Sequence, residues 1–244
     1  MPIFYLRRLT STERTDAANR HLARYLAFVA GATNAGGFLA VHKYTSHMSG
    51  IVATAADDIA MGNWHLAVDG MLAVAAFFLG AGSSALLIRW GRDRRLASQY
   101  ALPLMTEAAL LVVFGLIGRE FTTPHVLGTV LLLCCTMGLQ NAMITKISGS
   151  VIRTTHLTGM VTDMGIALGR IVYLPLRQEV DVREEFATLR LLGSLVGLFL
   201  VGGVIGALGF KHAGFLFTLP LAVVLLALAI VPVLDDLRKA PVGE

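Results

Sequence analysis

Long apolar stretches alternate with short polar breaks along most of this chain. A helix that crosses a bilayer needs about 20 mostly apolar residues. Six stretches meet that requirement, and we interpret them as membrane-spanning helices with approximate limits 21–41, 66–88, 100–118, 126–145, 191–210 and 214–234. Residues 1–20 are basic and polar and lack the apolar core of a signal peptide, so they predict a cytoplasmic lead-in. Residues 235–244 predict a short, charged cytoplasmic tail.

Two shorter segments, 49–62 and 158–169, have helical composition but contain acidic residues. Each is too short to cross the membrane comfortably and too apolar for a simple loop. If each of them re-enters the membrane and returns to the side from which it came, nearly all Lys and Arg residues lie on the cytoplasmic side. If both crossed instead, the basic cluster at 89–95 would move outside, against the positive-inside tendency. We therefore predict an all-α protein of the inner (cytoplasmic) membrane, with six transmembrane helices, two short re-entrant or broken helices, and both termini cytoplasmic.

The composition supports a membrane protein. Of the 244 residues, 55% are apolar and 15% are charged, whereas soluble domains are about a quarter charged. This excludes disordered, collagenous and disulfide-scaffold chains and argues against an ordinary water-soluble enzyme. We interpret the net charge of +4 as a sign of topology, not of a nucleic-acid partner. Cys134 and Cys135 are adjacent in an apolar run, which predicts no disulfide framework.

One sequence pattern occurs twice in the same order. Gly31–Ala35, which contains Asn34, is followed by His47 within Thr45–Gly50. In the second half, Gly138–Ala142 contains Asn141 and is followed by His156 within Thr154–Gly159. Each half then holds three spans and one short helix, and an odd number of spans gives the two halves opposite orientations. The chain therefore predicts two inverted three-span repeats, 21–118 and 126–234, as many transporters contain.

The repeated motif suggests a binding site at the start of each short helix. If these helices open at Ser49 and Thr158, their unpaired amide groups and positive dipole ends favour an anion or a polar solute; plain capping is the alternative. His47 and His156 precede those ends and would relay protons or donate hydrogen bonds, although each could simply be a packed histidine. The predicted binding residues are Asn34, His47, Ser49, Gly50, Asn141, His156, Thr158 and Gly159.

Acidic residues within the apolar stretches are candidates for proton coupling. A charge near the bilayer centre costs roughly 2.5–3.5 kcal/mol on insertion scales, so it normally lines a cavity or finds a partner. We predict this role for Asp58, Glu107 and Asp163, with an interfacial salt bridge as the alternative. Asp163 lies seven residues after His156, which places both on one helix face. Asn34 and Asn141 would contact a solute or join helices.

The two motifs resemble those of the YoaK family of bacterial integral membrane proteins. The resemblance covers roughly residues 20–235, and its most specific part is Arg153–Gly159. It implies a membrane location and about six spans, in a family described as a domain of unknown function. Family members often carry an acidic residue in the first span where this chain has Asn34, which weakens a proton-coupling role at that position.

Together these features predict a transporter or channel for a small polar or anionic solute, with proton coupling as a further hypothesis. Its expected partners are the lipid bilayer and a small-molecule solute, without a cofactor and without enzymatic activity. Two alternatives stay open. One is a non-transporting assembly or sensor protein. The other is an intramembrane metal-dependent enzyme that uses His47, His156 and an acidic residue, although no motif such as H-E-x-x-H occurs.

Overall fold

The computed structural model describes residues 2–10, 15–41, 44–117, 126–148, 154–173 and 182–239. These residues form an all-helical protein, and no strand occurs among them. The helices are α1 (Pro2–Thr10), α2 (Asp16–Val41), α3 (Met48–Ala60), α4 (Trp64–Asp93), α5 (Ala101–Ile117), α6 (Val126–Ile147), α7 (Leu157–Tyr173), α8 (Val182–Ala213) and α9 (Thr218–Lys239). A short 3₁₀ turn, Gly214–Phe217, joins α8 to α9.

Three stretches of the described chain are long and apolar enough to cross a membrane. They are Trp64–Asp93, Val126–Ile147 and Arg183–Arg238, and the last of these contains both α8 and α9. Ala101–Leu116 is a shorter apolar helix. The structure therefore agrees with a membrane protein built from helices.

The helices pack in pairs that take one member from each half of the chain. The most extensive contacts are those of α2 with α8, of α4 with α6 and of α5 with α9. α2 and α6 meet at the centre, where the Gln140 side-chain amide donates a 2.9 Å hydrogen bond to the Leu26 carbonyl oxygen. The short helix α3 packs mainly against α4, and α7 packs mainly against α8. Exchange of the two halves therefore reproduces the main contacts.

Side-chain contacts give the helix directions. Arg24 contacts Ser194 near one end of α2 and Gly36 abuts Phe210 near the other, so α2 and α8 run in the same direction. α5 and α9 run in opposite directions, because Asp236 at the end of α9 binds the amide groups of Ala97 and Ser98 just before α5.

Glycines allow the paired helices to cross at backbone contact. A Cβ on Gly31 of α2 would overlap the Phe199 carbonyl oxygen of α8, and one on Gly138 of α6 would overlap that of Phe77 in α4. The reverse contacts have the same form: Gly202 abuts the Phe28 carbonyl and Gly80 abuts that of Cys135. The hydrophobic effect does not drive helices together within lipid. Close van der Waals packing at small residues therefore supplies much of the energy that holds these helices in contact.

The chain folds back on itself between α2 and α3. The Tyr44 ring stacks on Phe38 with centroids 4.7 Å apart, and Ser46 reaches Asn34, nearly two turns before the end of α2. α3 therefore begins beside the middle of the bundle and not beyond the end of α2. It ends in a turn closed by Gly62, whose φ of +77° favours glycine at a helix C-terminus.

The structure also extends several predicted boundaries. Residues 2–10 form the helix α1, and α9 continues through Lys239 instead of ending at residue 234. Arg7 pairs with Asp235 through two hydrogen bonds of 2.6 and 2.8 Å, and the carboxylate raises the pKa of the Arg7 guanidinium. These long-range contacts join α1 to α9, and local sequence patterns do not reveal them.

Candidate functional site

A half-open cavity of about 200 Å³ lies between α3 and α4. Its polar lining comes from Tyr44, His47, Thr54 and Asp58, and its apolar lining includes Leu66 of α4. His47, Ile51, Thr54 and Asp58 follow one another at helical spacing, so they form one face of α3. The cavity therefore runs along α3 from its first residues to Asp58, less than one turn from its end.

Three of the predicted site residues line this cavity: His47, Gly50 and Asp58. Ser49 belongs to the opposite, exposed face of α3. The predicted cap at Ser49 is wrong, because α3 starts at Met48 and His47 occupies the N-cap position without a side-chain hydrogen bond. Thr54 and Tyr44 were not predicted as site residues. The spacing of Thr54 between His47 and Asp58 is a signal that would have found it.

Asn34 and Asn141 tie the segments before the short helices to the long helices. The Asn34 Oδ1 atom accepts hydrogen bonds from the backbone amide and the hydroxyl of Ser46, at 3.3 and 3.0 Å. In the second half, the Asn141 side-chain amide donates to the Thr155 hydroxyl. Ser46 and Thr155 occupy the same place in the repeated motif. Both asparagines thus make the joining contacts that intramembrane asparagines commonly make.

Gly50 and Gly159 also make matched contacts. A Cβ on Gly50 would crowd the His47 ring, and one on Gly159 would crowd the His156 ring in the same way. Each imidazole therefore folds back over the first turn of its own short helix. In both halves the glycine leaves room for the ring.

Two buried threonines of the repeated motif complete the match. Thr45 and Thr154 are fully buried, and neither Oγ1 atom has a hydrogen-bond partner. The sequence patterns do not distinguish them from the exposed hydroxyl residues nearby. Their burial depends on the fold-back of each segment onto a long helix.

The second half differs from the first at its acidic residue. Asp163 is exposed on α7, which packs mainly against α8, whereas His156 and Thr158 are exposed just as His47 and Ser49 are. No residue of α7 lines the cavity between α3 and α4. Ala167 lies eleven residues after His156, where the first half has Asp58, and it is buried. The structure therefore brings His47 and Asp58 together, but it does not bring the two histidines into one cavity.

Glu107 is fully buried on α5, and neither carboxyl oxygen has a hydrogen-bond partner. Phe114 and Leu133 belong to one small apolar cluster between α5 and α6. Gln140 is likewise buried, on the neighbouring helix α6. The Gln140 Oε1 atom is also buried without a partner. The centre of the bundle therefore contains polar atoms whose hydrogen-bonding capacity is unused.

Within the described ranges, no group of three His, Cys, Asp or Glu side chains lies close enough to hold one metal ion. His47 and His156 belong to different helices, each packed on a different neighbour. The arrangement required by the enzyme alternative, in which both histidines and an acidic residue share one ion, does not occur among these residues.

Comparison with known proteins places the chain in a family. A family model described as a protein of unknown function, DUF1275, matches residues 22–231. The chain is also 25% identical over 198 residues to the UPF0700 transmembrane protein YoaK of Bacillus subtilis (strain 168), which covers 80% of this chain and 85% of YoaK. No solved structure matches. The chain is therefore a membrane protein of the DUF1275 family, whose function is unknown.

Proposed function

We propose that this protein is a transporter or channel for a small polar or anionic solute, with coupling to protons. The observation that carries the proposal is the cavity along α3, which His47 and Asp58 line. A histidine and a carboxyl group in one cavity supply both hydrogen-bond donors for a solute and groups that titrate. A buried carboxyl group in a membrane protein, as Asp58 is here, normally marks a solute or ion pathway.

The proposed architecture is a pair of inverted three-span repeats with six transmembrane helices, in which α3 and α7 re-enter the membrane. Its support is the matched set of contacts in the two halves. Gly31 and Gly138 occupy the same place in the repeated motif. Each lies against the backbone of the helix with which its own helix is paired, α8 for Gly31 and α4 for Gly138. Inverted repeats require α2 and α6 to run in opposite directions. Two contacts between these helices indicate that they do, because Gln140 contacts Leu26 and Leu133 lies beside Gly37.

In this proposal α3 and α7 serve two half-sites that open toward opposite faces of the membrane. Their different packing partners favour two separate half-sites over a single pore in which the helix ends face each other. The protein lies in the inner membrane with both termini in the cytoplasm, on the basis of its Lys and Arg distribution. Its partners are the bilayer and the solute.

Thiol labelling in intact membranes tests this proposal. In a background without Cys134 and Cys135, Ile51→Cys and Thr54→Cys face the cavity and should react with a membrane-impermeant maleimide from one side. Asp163→Cys on α7 should react from the other side. Ala53→Cys and Ala56→Cys lie on the outer face of α3 and serve as matched controls that react only after detergent is added.

The result that contradicts the proposal is equally specific. If the cavity positions stay unlabelled, or if α3 and α7 label from the same side, the aqueous half-sites do not exist. The assembly or sensor function would then be favoured. It has its own support in the exposed, small-residue outer faces of the two short helices, Ser49, Ala53, Ala56 and Ala60 on α3 and Thr158, Thr162, Gly165 and Gly169 on α7.

A further inference from the structure

Asp58 is the buried acidic residue of this cavity, and packing alone does not account for a carboxylate there. Its relative exposure is 8%, and it lines the cavity between α3 and α4. None of the described hydrogen bonds or ion pairs involves its carboxylate. A carboxylate that is largely buried attracts a counter-charge.

Among the described residues that line the cavity, none is a lysine or an arginine. From Tyr44 to Ile88 the chain carries Asp57, Asp58 and Asp69 and no Lys or Arg. The other titratable groups that line the cavity are Tyr44 and His47, and the lining residues of α4, Leu66 and Gly70, do not titrate. The cavity is therefore electronegative, and a bound cation would neutralise it.

The cavity also supplies oxygen ligands of the kind that small hard cations prefer. The Thr54 hydroxyl lies one turn before Asp58 on the same face of α3, so both side chains can reach one ion. Tyr44, which carries a phenolic oxygen, lines the same cavity. Carboxylate and hydroxyl oxygens bind hard cations.

The turn after α3 gives a short access route. Asp58 is three residues before Met61, where α3 gives way to the turn into α4. His47 lies about 16 Å further along the helix axis, at 1.5 Å per residue. A cation at Asp58 would thus lie close to the turn between α3 and α4, with the solute space toward His47.

We infer that Asp58 and Thr54 form a binding site for a small monovalent cation such as Na⁺ in the cavity between α3 and α4. This inference adds a metal cation to the proposed function, as a coupling ion at the first half-site. The biological role of the cation site therefore rests on the proposed function. The second half lacks an equivalent, since Ala167 replaces the acidic residue and Asp163 is exposed. The site is therefore a property of one half only.

Cation binding to the purified full-length chain tests the inference without any transport assay. The melting temperature is followed by tryptophan fluorescence in detergent while NaCl, KCl or LiCl replaces choline chloride at constant ionic strength. Binding of ²²Na⁺ is measured in parallel. We expect one of these metal cations to raise the melting temperature in a saturable way. Asp58→Asn should weaken that binding by about tenfold or more, as loss of a charged ligand predicts.

Asp57→Asn is the matched control, because Asp57 is the adjacent acidic residue and is exposed. It should change cation affinity by less than about twofold, as expected for a screened surface charge. Thr54→Val keeps the side-chain volume at this position and leaves the Asp58 carboxylate in place. It should also weaken cation binding, so the inference can still be tested if Asp58→Asn does not fold. A melting temperature that is identical in all four salts overturns the inference, as does cation binding that Asp58→Asn or Thr54→Val leaves intact.

The two proposals fail in distinguishable ways. Saturable cation binding with no thiol labelling of the cavity positions would leave a cation site in a protein that does not transport. Thiol labelling from opposite sides without cation binding would keep the transport proposal and remove the metal cation from it.

Discussion

Asn34 holds Ser46 beside the middle of α2 through two hydrogen bonds to one oxygen atom, from the Ser46 amide at 3.3 Å and from its hydroxyl at 3.0 Å. This contact fixes the depth at which α3 begins, because His47 and Met48 follow directly. The cavity along α3 is therefore positioned by a residue that does not line it.

Asn34→Ala should destabilise the protein and loosen the start of α3. The substitution leaves the amide and hydroxyl of Ser46 without an acceptor, which costs about 1–3 kcal/mol in a buried setting. Asn63→Ala is the control, because Asn63 makes no side-chain hydrogen bond at the start of α4. Thermal melting in detergent measures the difference. Equal melting temperatures for the two variants would show that the Asn34 contact does not hold the segment.

Gly31→Ala and Gly138→Ala should each force a pair of helices apart. A methyl group at either position overlaps a backbone oxygen that cannot rotate away, and overpacking of this kind costs about 1–3 kcal/mol or more. Gly82→Ala and Gly197→Ala are matched controls, because a Cβ at either position meets no atom within 4 Å. Expression level and melting temperature should fall for the first pair and stay near wild type for the second. Similar losses in both pairs would contradict the helix crossings.

Asp236→Ala should weaken the junction between α9 and α5. The Asp236 carboxylate accepts hydrogen bonds from the amide groups of Ala97 and Ser98 at 2.9 and 2.8 Å, as a cap at the start of a helix does. Loss of such a cap costs about 0.5–2 kcal/mol. Asp93→Ala, which removes only an exposed pair with Arg89, should have little effect on melting. A neutral result at Asp236 would mean that water replaces the carboxylate without loss.

Glu107→Met should stabilise the protein while it removes transport. The Glu107 carboxyl group is fully buried with both oxygens unpartnered, so an apolar side chain of similar length avoids a penalty of about 1–3 kcal/mol. If Glu107 carries a coupled proton, proton-driven uptake into proteoliposomes should be lost at the same time. A stabilised variant that still couples uptake to protons would remove Glu107 from the mechanism and leave it as a packing defect.

His156→Ala should abolish solute uptake at unchanged membrane abundance if the second half-site takes part in transport. The measurement uses a radiolabelled solute found by screening proteoliposomes, with immunoblotting for abundance. His65→Ala is the control, because His65 is exposed on α4 and does not line the cavity. Preserved uptake in the His156 variant would restrict transport to the cavity of the first half.

Helix positions were largely predictable from hydrophobic pattern, because apolar runs of a given length leave few other structures in a membrane. The two short helices were predicted from their composition, and the repeated motifs from matching residues in the two halves. The ends were less predictable. α9 extends to Lys239 and α1 is helical, because Asp235 pairs with Arg7 and Asp236 accepts hydrogen bonds from the Ala97 and Ser98 amides, all across more than a hundred residues of chain.

The candidate site could be predicted only in part. His47, Gly50 and Asp58 were identified from motif and charge, and all three line the cavity. Ser49 was assigned to the same site because hydroxyl residues commonly cap helices, yet it faces outward. A shift of one residue in the helix start rotates a side chain by about 100°, since a turn holds 3.6 residues.

The sequence by itself determined a helical membrane protein, the approximate limits of its helices and the repeated motif, since each depends on local composition and spacing. Only the tertiary structure decided that Asn34 draws Ser46 back along α2, that glycines set the helix crossings and that Asp58 faces α4 while Asp163 is exposed. Those outcomes depend on which helix packs against which. That choice arises from contacts between residues far apart in the chain, and local sequence does not encode it.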